Sequence, residues 1–240
     1  MSKLDWDLFK DFFHPSWHDK MQGIIESPEV YKIYQRLKGE TEKIVPLSKD
    51  TFACFQVDLS NLRVVLFGQS PYPQYDFRGP RASGLSFDCT NYGKVSPSLE
   101  KLYDAWENDC YDGLAFYNKN NLSLEYLQNQ YVMLANTSLT CLKDQPKSHE
   151  DLWLPFWKQV FEKFFLYHSG LIFILLGKDA EILENFCNPA LHHILKAEHP
   201  AAASYEKRAM KHNNVFSQCN ELLKGMNNYK IMWLLVDSPF

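Results

Sequence analysis

The sequence predicts a single α/β domain over residues 1–240, built on a central parallel four-stranded sheet with helices on both faces. Three observations carry that prediction. Four short apolar runs are continuous instead of alternating, the pattern of strands covered on both faces. Patterns of helical period lie between them, so helical crossovers join strands that run parallel. The 240 residues, 45% hydrophobic and 22% charged, suffice for one sizeable core.

In chain order, the first expected element is a helix over residues 28–37 (PEVYKIYQRL), with apolar positions at helical spacing, Ser27 as N-cap and Pro28 in the first turn. The first strand follows at 63–68 (RVVLFG), then a helix at 98–108 (SLEKLYDAWEN). A second strand is expected at 131–136 (YVMLAN) and a helix at 152–167 (LWLPFWKQVFEKFFLY). The third strand, 171–177 (LIFILLG), precedes a helix at 179–186. The fourth strand, 192–198 (HHILKAE), leads toward a last helix at 214–224. All four strands read as buried.

The formal net charge of −4 means that a nucleic-acid partner must be held by a local basic patch, not by the overall field. Six cysteines, Cys54, Cys89, Cys110, Cys141, Cys187 and Cys219, form no CxxC or CxxH pair, so neither a metal nor another cofactor is expected. They read as buried thiols of a reducing compartment. No apolar run approaches the ~18 residues of a membrane span, and the opening MSKLDWDLFKDFF has early acids and no secretory pattern. The expectation is a soluble monomer without membrane partners, cytoplasmic, or nuclear in a eukaryote.

Chemistry concentrates where strands end. The stretch VVLFGQSPYPQYDFRGPRASGLSF from Val64 to Phe87 leaves an apolar run at Gly68, crosses a polar, Pro-rich loop and becomes apolar again at GLSF. Strand two ends in Asn136, and strand four runs into His199 and Pro200. In a parallel sheet all carboxyl ends lie on one side, so Gln69, Asn136 and His199 can line one crevice.

Several segments in this order resemble family 1 uracil-DNA glycosylases over nearly the whole chain. GQSPYP at 68–73 and GLSF at 84–87 are similar to that family's GQDPY(H/P) and GL(A/S)F. SWHDKM (16–21), VPLSKDTFACF (45–55), SPSLEKLY (96–103), MLANTSLT (133–140), Lys147-Ser148-His149 and HHILKAEHPAAAS (192–204) supply further likenesses. The resemblance implies a base-excision-repair hydrolase that flips uracil out of DNA and cleaves its N-glycosidic bond. Such chemistry must read the base's polar edge and stabilise charge on its departing O2 while water attacks the sugar. By matching position, Asn136 would pair with uracil N3–H and O4. Phe87 would stack on the base, Tyr72 would exclude thymine's methyl group, and His199 would donate to O2. Gln69 would contribute largely through its backbone, and Ser96, Pro97, Ser98 and Ser204 would lie on loops that hold phosphates.

Two departures matter. Ser70 stands where the family carries its water-activating Asp, which implies reduced or altered catalysis, and Asp76 is either a replacement carboxylate or a solvated turn residue. HPAAAS leaves Ala203 where many members carry a duplex-invading Leu, so duplex invasion is either weaker or carried by another group such as Tyr205. Lys207, Arg208, Lys211 and His212 form either a phosphate-binding cluster or a solvated helix face. The competing function is a non-catalytic binder of uracil-containing DNA, or a scaffold for replication or defence proteins. A Ser hydrolase centred on Ser70 is disfavoured because GQSPY lacks the second Gly of a nucleophile elbow.

Overall fold

The structure, a computed structural model, describes residues 3–115, 117–211 and 214–235. Its strands are β1 (Ile44–Val45), β2 (Val64–Gly68), β3 (Tyr75–Asp76), β4 (Gly79–Pro80), β5 (Val132–Asn136), β6 (Cys141–Leu142), β7 (Ile172–Leu176) and β8 (His193–Ala197). The helices are α1 (His18–Ile25), α2 (Pro28–Lys38), α3 (Pro97–Cys110), α4 (Glu125–Gln128), α5 (Leu154–Lys163), α6 (Lys178–Glu181), α7 (Pro200–Tyr205) and α8 (Val215–Gly225).

The four predicted strands form one sheet in the order β5-β2-β7-β8, every neighbouring pair parallel. Every residue of β2, β5 and β7 is buried, which requires cover on both faces and explains why their sequences do not alternate. Part of that cover is α5, whose Trp157 meets Phe67 edge-on at 4.9 Å while Phe161 stacks on Phe173 at 5.1 Å. A second aromatic cluster joins Trp106 of α3 to Phe216 of α8 and to Trp233. β8 departs from expectation. It is an edge strand, with His193 and Lys196 exposed and Lys196 ion-paired to Glu184, so charge protects an edge that no further strand covers.

Helix starts follow their capping chemistry. Ser27 Oγ accepts the Val30 N–H at 3.3 Å, and Ser96 Oγ accepts that of Leu99 at 3.1 Å, each before a Pro in the first turn. The helix expected over 152–167 ends at Lys163 and continues as a 3-10 turn, and that expected over 179–186 divides likewise after Glu181. Three helices were not anticipated, the single-turn α4 among them. Helix α1 is anchored by buried Trp17, whose Nε1–H donates to Val57 O at 2.8 Å. Helix α7 occupies the stretch read as a loop, because Pro200 after an N-capping His199 starts a helix that three alanines continue readily. GLSF, where the sequence turns apolar again, is a buried turn and not a strand.

Of the six free cysteines, Cys54, Cys89, Cys141 and Cys219 are buried, and Cys110 and Cys187 are half-buried. Among the described residues no helix is long and apolar enough to cross a membrane.

Candidate functional site

The register aligns Gly68 with Asn136 at the carboxyl ends of β2 and β5. Beyond it the chain is clamped. The Thr137 N–H and hydroxyl both donate to Gly68 O, at 3.0 and 2.9 Å, and the Ser138 N–H donates to Gln69 O at 3.0 Å. Gln69 is thus held in place through its carbonyl. Gly68 is required by crowding: a Cβ there would lie 2.9 Å from both Asn136 Oδ1 and Phe87 Cζ. Its bare Cα lets the carboxamide and the ring share the strand end.

Asn136 is buried, yet among the described residues its carboxamide makes no hydrogen bond. Its amide is not among the unpaired polar atoms sealed away from solvent, so donor and acceptor both face space that a ligand's polar edge can enter. Phe87 beside it has φ +64°, a left-handed conformation costly for an aromatic residue. Its carbonyl is held by the Tyr72 hydroxyl, which donates at 3.3 Å and also meets Ser96 Oγ at 2.6 Å. Burial raises the Tyr72 hydroxyl pKa well above its usual value, so the group stays protonated. Ser96 therefore caps α3 and steadies Tyr72, and its own side chain is buried.

His199 completes the group, its ring centroid 5.5 Å from that of Phe87. Nδ1 accepts the Ala201 N–H at 3.2 Å, so the neutral ring carries its proton on Nε2. Gly177, with φ +90°, gives it room: a Cβ there would come within 2.7 Å of His199 Cβ. Desolvation lowers the His199 pKa to about 4, opposed by Asp179 and assisted by Lys147. The imidazole is therefore a neutral donor at physiological pH. Because its folded pKa lies below the unfolded value, His199 contributes stability above pH ~6.5 that is lost as pH falls toward ~4. Urea titrations should show the parent losing more stability than His199→Gln between pH 7.5 and 4.5. The difference should be on the order of 1 kcal/mol, reduced from the full linkage value by partial exposure.

A groove of about 240 Å³ adjoins this cluster, lined by Tyr72, Ser96, Pro97, Ser98, Ser204 and Tyr205 among others. The predicted phosphate loops are thus brought together. Other expectations are corrected. Ala203 is fully buried, so it cannot be the exposed tip, whereas Tyr205 two residues later is 91% exposed. Asp76 is engaged in its own hairpin by the Arg78 N–H at 2.8 Å and guanidinium at 3.1 Å, a turn residue and not a carboxylate for the site. Arg208 is engaged by Glu198 at 2.5 and 2.6 Å and by Glu206, so its charge is neutralised internally. Lys207 and Lys211 are exposed, and His212 lies outside the described residues. Ser70, half-buried, lines a second, much smaller hollow with Gln69.

Sequence reasoning missed Gly177, and it did not assign Gly68 the clearance it provides. Each was visible only as a Gly ending a predicted strand. Among the described residues no group of three or more His, Cys, Asp or Glu side chains is placed to hold a metal.

Residues 55–224 match the family described as the uracil DNA glycosylase superfamily. Over 240 residues the chain is 33% identical to the uracil-DNA glycosylase of Fusobacterium nucleatum, covering 97% of each chain. It is 32% identical to that of Buchnera aphidicola over 227 residues, covering 92% of this chain and 99% of the relative. The crystal structure of mimivirus uracil-DNA glycosylase has the same fold, with a TM-score of 0.80, 23% identity and coverage of 97% and 94% of the two chains. A fold of four parallel strands with reactive groups at their carboxyl ends, joined to this likeness, settles the class. The chain belongs to the uracil DNA glycosylase superfamily.

Proposed function

We propose that the protein is a uracil-DNA glycosylase of base-excision repair, a hydrolase that binds uracil-containing DNA, flips the base and cleaves its N-glycosidic bond. The observation that carries this reading is the buried, unpartnered carboxamide of Asn136 beside Phe87, with neutral His199 against the same ring. Uracil offers an N3–H donor and an O4 acceptor, which the Asn136 oxygen and nitrogen match, and cytosine reverses both. Phe87 provides the stacking face, and Tyr72, immobilised by Ser96, blocks a C5 methyl group. As the glycosidic bond breaks, negative charge gathers on O2, and His199 Nε2–H stabilises it without a prior proton transfer. Phosphates meet Ser98 in the first turn of α3, where free helix N–H groups favour anions, and the side chain of Ser204, which lines the same groove from the end of α7.

A non-catalytic binder has less support, because reading a base's polar edge needs no neutral donor of the His199 kind. The free thiols accord with a reducing, cytoplasmic or nuclear setting, and the protein acts as a monomer. The test is to incubate it with single-stranded and duplex oligonucleotides carrying one uracil, thymine or extra cytosine, and to measure binding and abasic-site formation separately. Release of uracil alone is expected. Equal binding of all three would overturn the reading.

Tyr205 sets the preferred strand state. Its exposed ring stands beside the phosphate groove and can fill a vacated stack, which buried Ala203 cannot. Tyr205→Ala should weaken binding of uracil duplex about tenfold, in keeping with ~1–3 kcal/mol per stacked base, and change single-strand binding less than about threefold. The parent should still prefer the single strand, where flipping avoids unpairing. Comparing the four dissociation constants at one salt concentration checks both statements.

A further inference from the structure

Ser70 cannot accept a proton from water at neutral pH, yet it borders a hollow that holds groups able to do so. The hollow is about 10 Å³, lined by Gln69 and Ser70 from the β2 end, by Lys147 and Glu150 from the loop after β6 and by Asp179 from α6. That is the space of a single water, with the two to four polar partners that an ordered water needs. Resting on the uracil-excision reading, we propose that Asp179, backed by Glu150, is the carboxylate that orients and deprotonates the attacking water, and that Ser70 only holds it.

Three further observations place Asp179 at the chemistry. Lys147 Nζ lies 2.8 Å from Asp179 Oδ2, which fixes the carboxylate's direction. The charges of Asp179 and Lys147 are both felt at His199, the one raising and the other lowering its proton affinity, so they act on the volume where O2 and the sugar must lie. Gly177, two residues before Asp179, is in close contact with His199 and couples the two positions. Glu150, an exposed residue, has its pKa raised by partial desolvation and then by the neighbouring Asp179, with Lys147 opposing and Asp151 adding to the shift.

The step balances. A lone pair of the water oxygen forms the bond to the anomeric carbon as the bond from that carbon to uracil N1 breaks. The bonding pair leaves on uracil, its charge spread onto O2 under His199, and the water's proton passes to Asp179. The uracil anion then takes a proton from solvent as Asp179 returns its own to solvent, so free uracil and an abasic sugar result. Before the proton moves, the same negative charge stabilises the cationic sugar of the transition state.

The test is single-turnover excision from a single-stranded uracil oligonucleotide, with binding and thermal unfolding measured alongside. Asp179→Asn should slow excision by about thirtyfold or more, within the range of general-base catalysis, and leave uracil-DNA affinity within about threefold. Ser70→Asp in the same chain should restore excision, a rescue that a merely structural defect would not show. Lys147→Gln keeps both carboxylates but removes their cation, so the acidic limb of the excision–pH profile should move to higher pH. Among the described residues, the titratable groups around Asp179 are Lys147, Glu150 and the neutral His199, so this limb reports on few groups. Asp179→Asn excising uracil at the parent's rate, or an unmoved limb in Lys147→Gln, would overturn the assignment while uracil excision itself stands. A parent that binds uracil DNA but releases no uracil would overturn both readings together. Should Asp179→Asn fail to fold, the Lys147→Gln profile decides.

Discussion

Asn136→Ala should abolish most discrimination for uracil while leaving the fold as stable as before. The two effects share one cause. The carboxamide lies at the carboxyl end of β5 and makes no hydrogen bond among the described residues, so truncating it removes no internal hydrogen bond. With uracil in the pocket the balance reverses, because N3–H and O4 would be desolvated against a methyl group. The lost preference for uracil over thymine and cytosine should be at least ~1–3 kcal/mol, roughly tenfold to a hundredfold in the ratio of kcat/KM values. Thermal unfolding should shift little, in either direction. A variant that keeps uracil preference, or unfolds well below the parent, would show that the amide serves the fold instead.

The contrast between that residue and its neighbours shows what the sequence carries openly. β2, β5 and β7 were legible because strands covered on both faces must be apolar at every position, and their ends placed Asn136 and Gln69 on one edge. His199 was legible for the same reason, as the polar residue beyond the last strand. The clearances were not. That Gly177 makes room for a residue 22 positions later depends on φ +90° and on how β7 pairs with β8, neither of which a single Gly announces. Arg208 looked like a phosphate ligand because a run of basic residues does not show that Glu198 folds back to meet it. Ala203 and Tyr205 changed roles because a helix, with its 3.6-residue period, turned the first inward and the second outward. The hollow beside Ser70 was the least accessible, since Lys147 and Glu150 come from a loop and Asp179 from a separate helix, α6.

Ser70→Asp should raise uracil release at least tenfold without a comparable gain in uracil-DNA affinity. A tenfold change needs only ~1.4 kcal/mol from a charge placed directly beside the water, and a charge felt as the bond breaks changes rate, not ground-state binding. The new carboxylate would enter a hollow that already contains Glu150 and Asp179, and like charges there raise proton affinity. Lys147, which lines the same hollow, offsets that repulsion and keeps the introduced group ionised near neutral pH. The gain should therefore be largest at neutral to mildly basic pH and shrink on acidification, as a pH series of single-turnover rates would show. Asp76 cannot mimic the effect, because Arg78 already engages both its carboxylate oxygens within the hairpin, and Asp76→Asn should leave the rate within about twofold. If the parent already excises rapidly and Ser70→Asp adds nothing, the native carboxylate pair alone meets the demand for charge. If both proteins bind uracil DNA, unfold at the same temperature and release nothing, the pocket is a reader of uracil and not a hydrolase.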